Sequence, residues 1–159
     1  MNRVNCILNN EKYKKIVHII EMFEIDREFC KHDINHFMDV ARIAYILVLE
    51  NHIDINKEIV YATALLHDIG RGIQYRHGAP HDVAGIALAE EIMTETGFGE
   101  GEKTIILNAI KYHRNENGSI IDFNSLFSKS DKLSRNCFNC KETEKCKWND
   151  ERKNYYLIY

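Results

Sequence analysis

Six residues carry the chemistry open to this sequence: His36, His67, Asp68, His81, His113 and Asp131. All but Asp68 fall in apolar stripes of helical spacing. His36 leads Val40, Ile43, Ala44 and Leu47; His67 follows Val60 and Ala64; His81 leads Gly85, Leu88, Ala89 and Ile92. His113 follows Ile106, Ala109 and Ile110, and Asp131 follows Phe123 and Phe127. Five stretches thus each turn one His or Asp toward the interior. Burying such a group is costly unless it is paired or bound to a metal. One inward histidine alone is the ordinary fate of a core residue whose ring is satisfied. Four histidines and an aspartate brought inward together have an economical explanation in a divalent-metal site between helices. Neutral imidazole and carboxylate suit zinc, iron, nickel and manganese. Asp68 follows His67 directly, and neighbours on a helix point about 100° apart. At a helix end both can still reach one metal, or the carboxylate can bridge two.

The elements that must position these residues read as helices. The spacing predicts a first helix over 10–24, a second over 34–50, and a third from the cap Asn56 to near Gly70. Residues 70–80, rich in Gly, Arg and His, read as a loop. Pro80 suits the first turn of a fourth helix running to Thr96, and Gly97-Phe98-Gly99 breaks it. A fifth helix covers 102–114, closed by Asn117-Gly118, and Asp122 caps a sixth through Arg135. Nothing alternates at period two over a useful length. The expected fold class is all-α: a helical bundle over 1–135 with a Cys-bearing C-terminal appendage, 136–159, packed on the same domain.

Composition agrees. The chain has 159 residues, one proline, eight glycines and 28% charged residues, which suits one globular domain. The net charge of −3 gives no general pull toward polymeric nucleic acid or anionic membrane. No apolar run approaches the ~20 residues that span a bilayer, and the first residues lack a signal-peptide core. The expectation is a cytoplasmic protein with a small-molecule partner, and its oligomeric state is not legible.

The ordered set of motifs resembles the HD-domain metal-dependent phosphohydrolase superfamily. Leu65-Leu66-His67-Asp68-Ile69-Gly70 looks like its signature. His36-Phe37-Met38-Asp39-Val40-Ala41 is similar to its first histidine element, and His81-Asp82-Val83-Ala84-Gly85 to its third. Ala109-Ile110-Lys111-Tyr112-His113 resembles the fourth and Ser130-Asp131-Lys132-Leu133 the closing element. The likeness covers about 100 of 159 residues, His36 to Arg135. Asp39, Arg114 and Ser130 depart from the usual pattern; the first two bear on substrate contacts more than on the metal.

The resemblance implies one metal held by His36, His67, Asp68 and Asp131, and a second added by His81 and His113 with Asp68 bridging. That places the chain near the small stand-alone bacterial members with two metals, which act on nucleotides or dinucleoside polyphosphates. The expected cofactor is one or two divalent ions: iron, manganese, zinc, nickel, cobalt or magnesium. The expected activity is hydrolysis of a small phosphate ester or anhydride by activated water. Asp68 would bridge the ions and take the water's proton. Arg71, Lys132 and Arg76 are the candidates to screen phosphoryl charge, with Arg76 reading more as solvated loop charge. The alternatives are an HD-fold di-iron oxygenase and a non-catalytic nucleotide-binding regulatory module.

Two histidines compete for these places. His32 lies one turn before His36, and His77 lies four residues before His81. Val40-Ala41 and Gly85 fit the family spacing only from His36 and His81. His32 and His77 therefore read as exposed loop or cap histidines, with phosphate contact as the alternative. His18 and His52 receive no role.

The tail carries Cys137, Cys140 and Cys146. Three thiolates can belong to a metal site completed by Cys6 or Cys30, to a cubane cluster with another ligand, to a Cys137/Cys140 redox pair, or to none of these. Trp148, Tyr155, Tyr156 and Tyr159 read as packing the tail onto the bundle.

Overall fold

The chain opens with two helices in close succession, α1 (Asn2–Asn9) and α2 (Glu11–Phe23). Asn10 separates them and accepts the Lys12 and Tyr13 amides. The first was not expected. It is short, and only Val4 and Ile7 are buried from it. Next come α3 (Ile34–Glu50) and α4 (Lys57–Leu66). Asp33 caps α3 by accepting the His36 amide at 3.0 Å, and Asn56 caps α4 by accepting the Glu58 amide. Both caps satisfy amides that the first turn leaves open. There follow α5 (Gly70–His77), α6 (His81–Glu95), α7 (Glu100–Tyr112) and α8 (Phe123–Leu133), and a short 3₁₀ turn at Cys137–Asn139. This computed structural model describes residues 1–113 and 120–159. Arg114 and the expected stop at Asn117-Gly118 lie outside the described residues. Among the described residues there is no strand, as the periodicity predicts.

Two expectations are corrected. The stretch 70–80 is not a loop: Gly70–His77 is a helix that ends on Gly78 at φ +73°. The third helix stops at Leu66 rather than near Gly70, so His67, Asp68 and Ile69 form the turn between α4 and α5. Glycines that read as breakers are there for contact instead. A Cβ on Gly70 would lie 1.9 Å from the His81 carbonyl oxygen, and one on Gly85 would lie 2.9 Å from the Gly70 nitrogen. Backbones of α5 and α6 touch at this crossing, which only residues without a Cβ permit.

The core lies between α3, α4, α7 and α8, with α6 closing one side. Phe37, Leu65, Leu66, Ile69, Ile92, Ile106, Ile110 and Phe127 are fully buried, each worth about 1.5–3 kcal/mol of apolar burial. α1 is tied down by Arg3. Its guanidinium meets Glu58 at 2.8 Å and Glu102 at 2.9 Å, and covers the Phe98 ring at 4.3 Å. Beyond α8 the tail is irregular. Tyr159 packs against the core and donates to Glu50 at 2.9 Å, and Trp148 is half-buried. Tyr155 and Tyr156 are exposed, contrary to the packing role expected of them. Tyr155 instead donates to Asp150. No helix among the described residues is long and apolar enough to cross a membrane.

Three outcomes are expected. Gly70→Ala forces α5 and α6 apart and destabilises by about 3 kcal/mol in urea unfolding, the scale of overpacking against backbone. Gly101→Ala, whose Cβ meets nothing within 4 Å, is neutral or slightly stabilising. Arg3 hydrogen bonding pulls the Glu58 carboxyl down to about 2. A depressed carboxyl contributes stability that is present above its unfolded value of about 4.3 and lost as pH falls through the folded value. Arg3→Met therefore destabilises by about 1 kcal/mol at neutral pH after solvent screening. That difference between the two proteins shrinks as pH falls from about 4.5 toward 2.

Candidate metal centre

The turn after α4 places His67 and Asp68 side by side and inward, both 1% exposed. α4 ends at Leu66, and His67 keeps right-handed helical dihedrals in the turn. The Arg71 and Gly72 amides bond back to the Asp68 and Ile69 carbonyls, so the turn is tight and Asp68 is held from both sides. α3 brings His36 on its first turn. α6 brings His81 as its first residue, and His113 follows the end of α7. α8 brings Asp131 one turn beyond Phe127. Phe37 and Phe127 stand edge-on to the His67 ring, at 5.5 and 5.7 Å between centroids, and wall it from solvent.

All six sequence-predicted ligands converge. Asp68 Oδ2 lies 3.4 Å from His67 Nε2 and 4.0 Å from His36 Nε2. Asp68 Oδ1 lies 3.5 Å from His81 Nε2 and 4.0 Å from His113 Nε2. Asp131 Oδ1 is 3.3 Å from His36 Nε2 and 3.7 Å from His67 Nε2. Two groups can each take an ion: His36, His67 and Asp68, and Asp68, His81 and His113. Asp68 belongs to both, one oxygen facing each.

The far nitrogen of each ring is held. His67 Nδ1 donates to the Ala64 carbonyl at 2.8 Å, His113 Nδ1 to the Ile110 carbonyl, and His81 Nδ1 to Gln74 Oε1 at 2.9 Å. Ser134 donates to the Asp131 carbonyl and receives His36 Nδ1 at 3.1 Å. His36, His81 and His113 thus turn an Nε2 lone pair toward the carboxylates, the tautomer a metal requires, and His67 does so once its Nε2 proton leaves. Among the described residues, His67 Nε2 and both Asp68 oxygens are buried with no aligned hydrogen bond. Such orphaned atoms are costly, and a divalent cation would satisfy all three. The residues present fit the group.

Electrostatics agree. Burial pushes Asp68 up, but His67, Arg71 and His32 outweigh it and hold the carboxyl well below the usual range. Burial acts to lower His67, yet Asp68 and Asp131 hold it at about 10. Burial lowers His36 to about 4 against the pull of Asp131. Buried Asp68 and part-exposed Asp131 are both held well below the usual carboxylate range and stay charged, balanced by a proton on His67, which metal binding would release.

Of the charged candidates, Arg71 is brought in: its Nε lies 2.9 Å from Asp68 Oδ2, without the alignment of a hydrogen bond. Lys132 is half-buried beside Asp131. Arg76 and His77 are exposed, as read for both.

His32 is the correction. It is 4% exposed, not a solvated cap. Its Nδ1 donates to Glu24 Oε1 at 2.6 Å, and its Nε2 lies 3.8 Å from Asp68 Oδ2. Glu24, itself buried, also takes the His32 amide at 2.7 Å and the Tyr75 hydroxyl. A carboxylate behind an imidazole is the arrangement that orients metal-site histidines. Arg135 was also missed. It is buried, and its Nη2 donates to His36 Nε2 at 3.1 Å, 3.5 Å from Asp131 Oδ1. The spacing of His32 from His36, one helical turn, was the available signal for the first; for Arg135 it was its place one turn after Asp131.

A family model described as HD domain matches residues 33–136. A protein of Clostridium beijerinckii described as uncharacterized is 43% identical over 159 residues, the full length of both chains. Ribonuclease Y of Petrotoga mobilis is 26% identical over 124 residues, 78% of this chain and 22% of that protein. Ribonuclease Y of Acidothermus cellulolyticus is 32% identical over 83 residues, 52% of this chain and 15% of that protein. The chain thus spans under a quarter of these two ribonucleases. No solved structure matches. The matched span encloses every imidazole and carboxylate facing Asp68 except His32, and the chain belongs to the HD domain family.

Proposed function

We propose that this chain is a metal-dependent phosphohydrolase that cleaves a small phosphate ester or anhydride, with a nucleotide as the favoured substrate. The observation that carries the reading is the division of labour on Asp68: Oδ1 faces His81 and His113, while Oδ2 faces His67 and His36. A carboxylate so flanked suits a pair of ions, His36, His67 and Asp131 completing one set and His81 and His113 the other. Bound divalent ions lower the pKa of a water and neutralise phosphoryl oxygens.

The chain's own residues supply the rest. Asp68, held ionised by its neighbours, is a weak base and serves chiefly to fix charge and orient water. Arg71, 19% exposed beside Asp68 Oδ2, donates toward a phosphoryl oxygen entering from solvent. Lys132 adds charge next to Asp131. Asp131, 20% exposed, marks the side from which substrate enters, since Asp68 and His67 are closed to solvent. His32, fixed by Glu24, adds a fifth imidazole on the Oδ2 side. The nucleotide rests on the family resemblance and on a net charge of −3, unsuited to a polyanion; a cytoplasmic setting goes with it. The relatives named Ribonuclease Y support a second reading, hydrolysis of an RNA phosphodiester by the same centre.

Three measurements test this. Metal-loaded protein offered nucleotides, dinucleoside polyphosphates and short RNA should turn over the small anhydrides or esters and lose activity on chelation. Turnover of RNA alone selects the second reading. Iron-loaded protein that consumes oxygen with an organic substrate, and hydrolyses nothing, makes it an oxygenase; binding of nucleotide without turnover makes it a regulatory module. Asp68→Asn should lower kcat/KM by at least about a hundredfold, the scale of losing an electrostatic partner. Near-wild-type hydrolysis in that variant rejects the bridging role. His81→Ala should lower metal content by about one ion per chain with helical circular dichroism intact; full stoichiometry rejects its place in the second set.

A further inference from the structure

The five cysteines are free of disulfides, and four of them, Cys30 and three in the tail, lie on two segments that touch. Cys137 is buried and opens the 3₁₀ turn, and the Cys140 amide bonds back to the Cys137 carbonyl at 3.2 Å. Thr143 donates to the Cys140 carbonyl, and the Cys146 amide to the Thr143 carbonyl. The chain therefore folds back between Cys140 and Cys146. Asn154 closes this loop by donating to the Lys132 and Arg135 carbonyls at 2.7 and 2.9 Å. The loop between α2 and α3 lies against it. Arg135 Nη1 donates to the Lys31 carbonyl at 3.1 Å, and Lys145 Nζ is 3.9 Å from Glu28 Oε2. Cys30 sits between those two contacts, its carbonyl held by Arg27 at 2.9 Å. Burial pushes the Cys30 thiol up, Arg135 pulls it down, and Cys137, Cys140 and Cys146 push it up. Cys30 and Cys6 are both exposed; Cys6 lies on α1, which packs against α2 and α4, and takes no part.

We propose that Cys30, Cys137, Cys140 and Cys146 hold a cubane iron–sulfur cluster that ties the tail to the loop between α2 and α3. Three ligands close in sequence with a fourth far away is a recurrent cluster pattern. Spacing separates the cluster from zinc. Sulfurs bound at 2.3 Å around one tetrahedral zinc stand roughly 3.8 Å apart. On a four-iron cube each thiolate binds a different iron, so the sulfurs stand farther apart. No three of the four sulfurs lie mutually within 4.8 Å of one another, a wider spread than thiolates on one zinc. The tail also needs a staple. Phe138, Tyr156, Leu157 and Ile158 are exposed, so apolar burial holds little of it, and beyond the 3₁₀ turn it has no regular element. Arg135 beside the thiols offsets their negative charge.

Anaerobically purified protein, reconstituted with ferrous iron and sulfide, tests the proposal. Acid-labile sulfide is the readout, because iron bound at Asp68 carries none. About four sulfides per chain and a broad absorption band in the visible are expected. Cys30→Ala and Cys140→Ala should each lose the sulfide while Cys6→Ala keeps it, with divalent metal at the Asp68 centre retained in all three. Wild-type protein that takes up no labile sulfide overturns the proposal, whatever the variants do. So does one zinc per chain lost on replacing any of the four cysteines, or full sulfide retained in Cys30→Ala.

Discussion

A single buried carboxylate sets the terms for the rest of this fold. Asp68 is 1% exposed, with no aligned hydrogen bond to either oxygen. Burying such a charge uncompensated costs several kcal/mol. The chain meets that cost by aiming four family imidazoles, His32 and one guanidinium at the same group. Five elements contribute to that ring of partners: α3 His36, the turn after α4 His67, α5 Arg71, α6 His81, the end of α7 His113. Removing a partner leaves charge unbalanced rather than merely losing a contact, so the arrangement has few stable alternatives. The same arrangement is ready for divalent ions, which satisfy in one step what the protonated His67 satisfies only in part.

The position of that carboxylate depends on backbone contact elsewhere. α5 and α6 cross through Gly70 and Gly85, and the crossing sets where α6 begins. His81 is the first residue of α6 and owes its reach toward Asp68 to that contact. Gln74 on α5 then fixes the His81 ring. The glycine that follows the His-Asp pair is thus a packing residue. It explains why Leu-Leu-His-Asp-Ile-Gly works as one unit: apolar residues end α4 in the core, the pair turns inward, and glycine admits the next helix.

Much of this was legible from residue order. α3 falls on the predicted 34–50, and α2 lies within one residue of 10–24 at each end. All six candidate ligands, named from stripes and motif order, face one centre. What failed did so for physical reasons. Gly70 and Gly72 lower helix propensity, so Gly70–His77 read as a loop; tertiary contact with α6 and α2 outweighs that propensity. α1 has too few apolar residues to show a period. His32 was misread because its partner Glu24 lies on a different element, and pairing at that distance leaves no local pattern. Arg135 only ended a helix in the sequence reading. Its partners, His36 and the Lys31 carbonyl, are about a hundred residues away.

Those misread residues share a location, which gives the segment before α3 a role. Glu24 at the end of α2 holds His32 against Asp68, Arg27 holds the Cys30 carbonyl, and Arg135 ties the Lys31 carbonyl to His36. One short loop therefore touches the candidate metal centre through His32 and the tail through Glu28. Neither contact is secured by apolar burial, since Ile25 and Phe29 on this loop are exposed. Its order rests on polar ties alone, and buried polar ties hold only when every member is satisfied. A centre that pins Cys30 to the tail would fix the backbone two residues from His32. Loosening it would free the imidazole that lies outside the family match. In this chain the tail is thus mechanically continuous with the site, and the bundle and its appendage meet at the loop between α2 and α3.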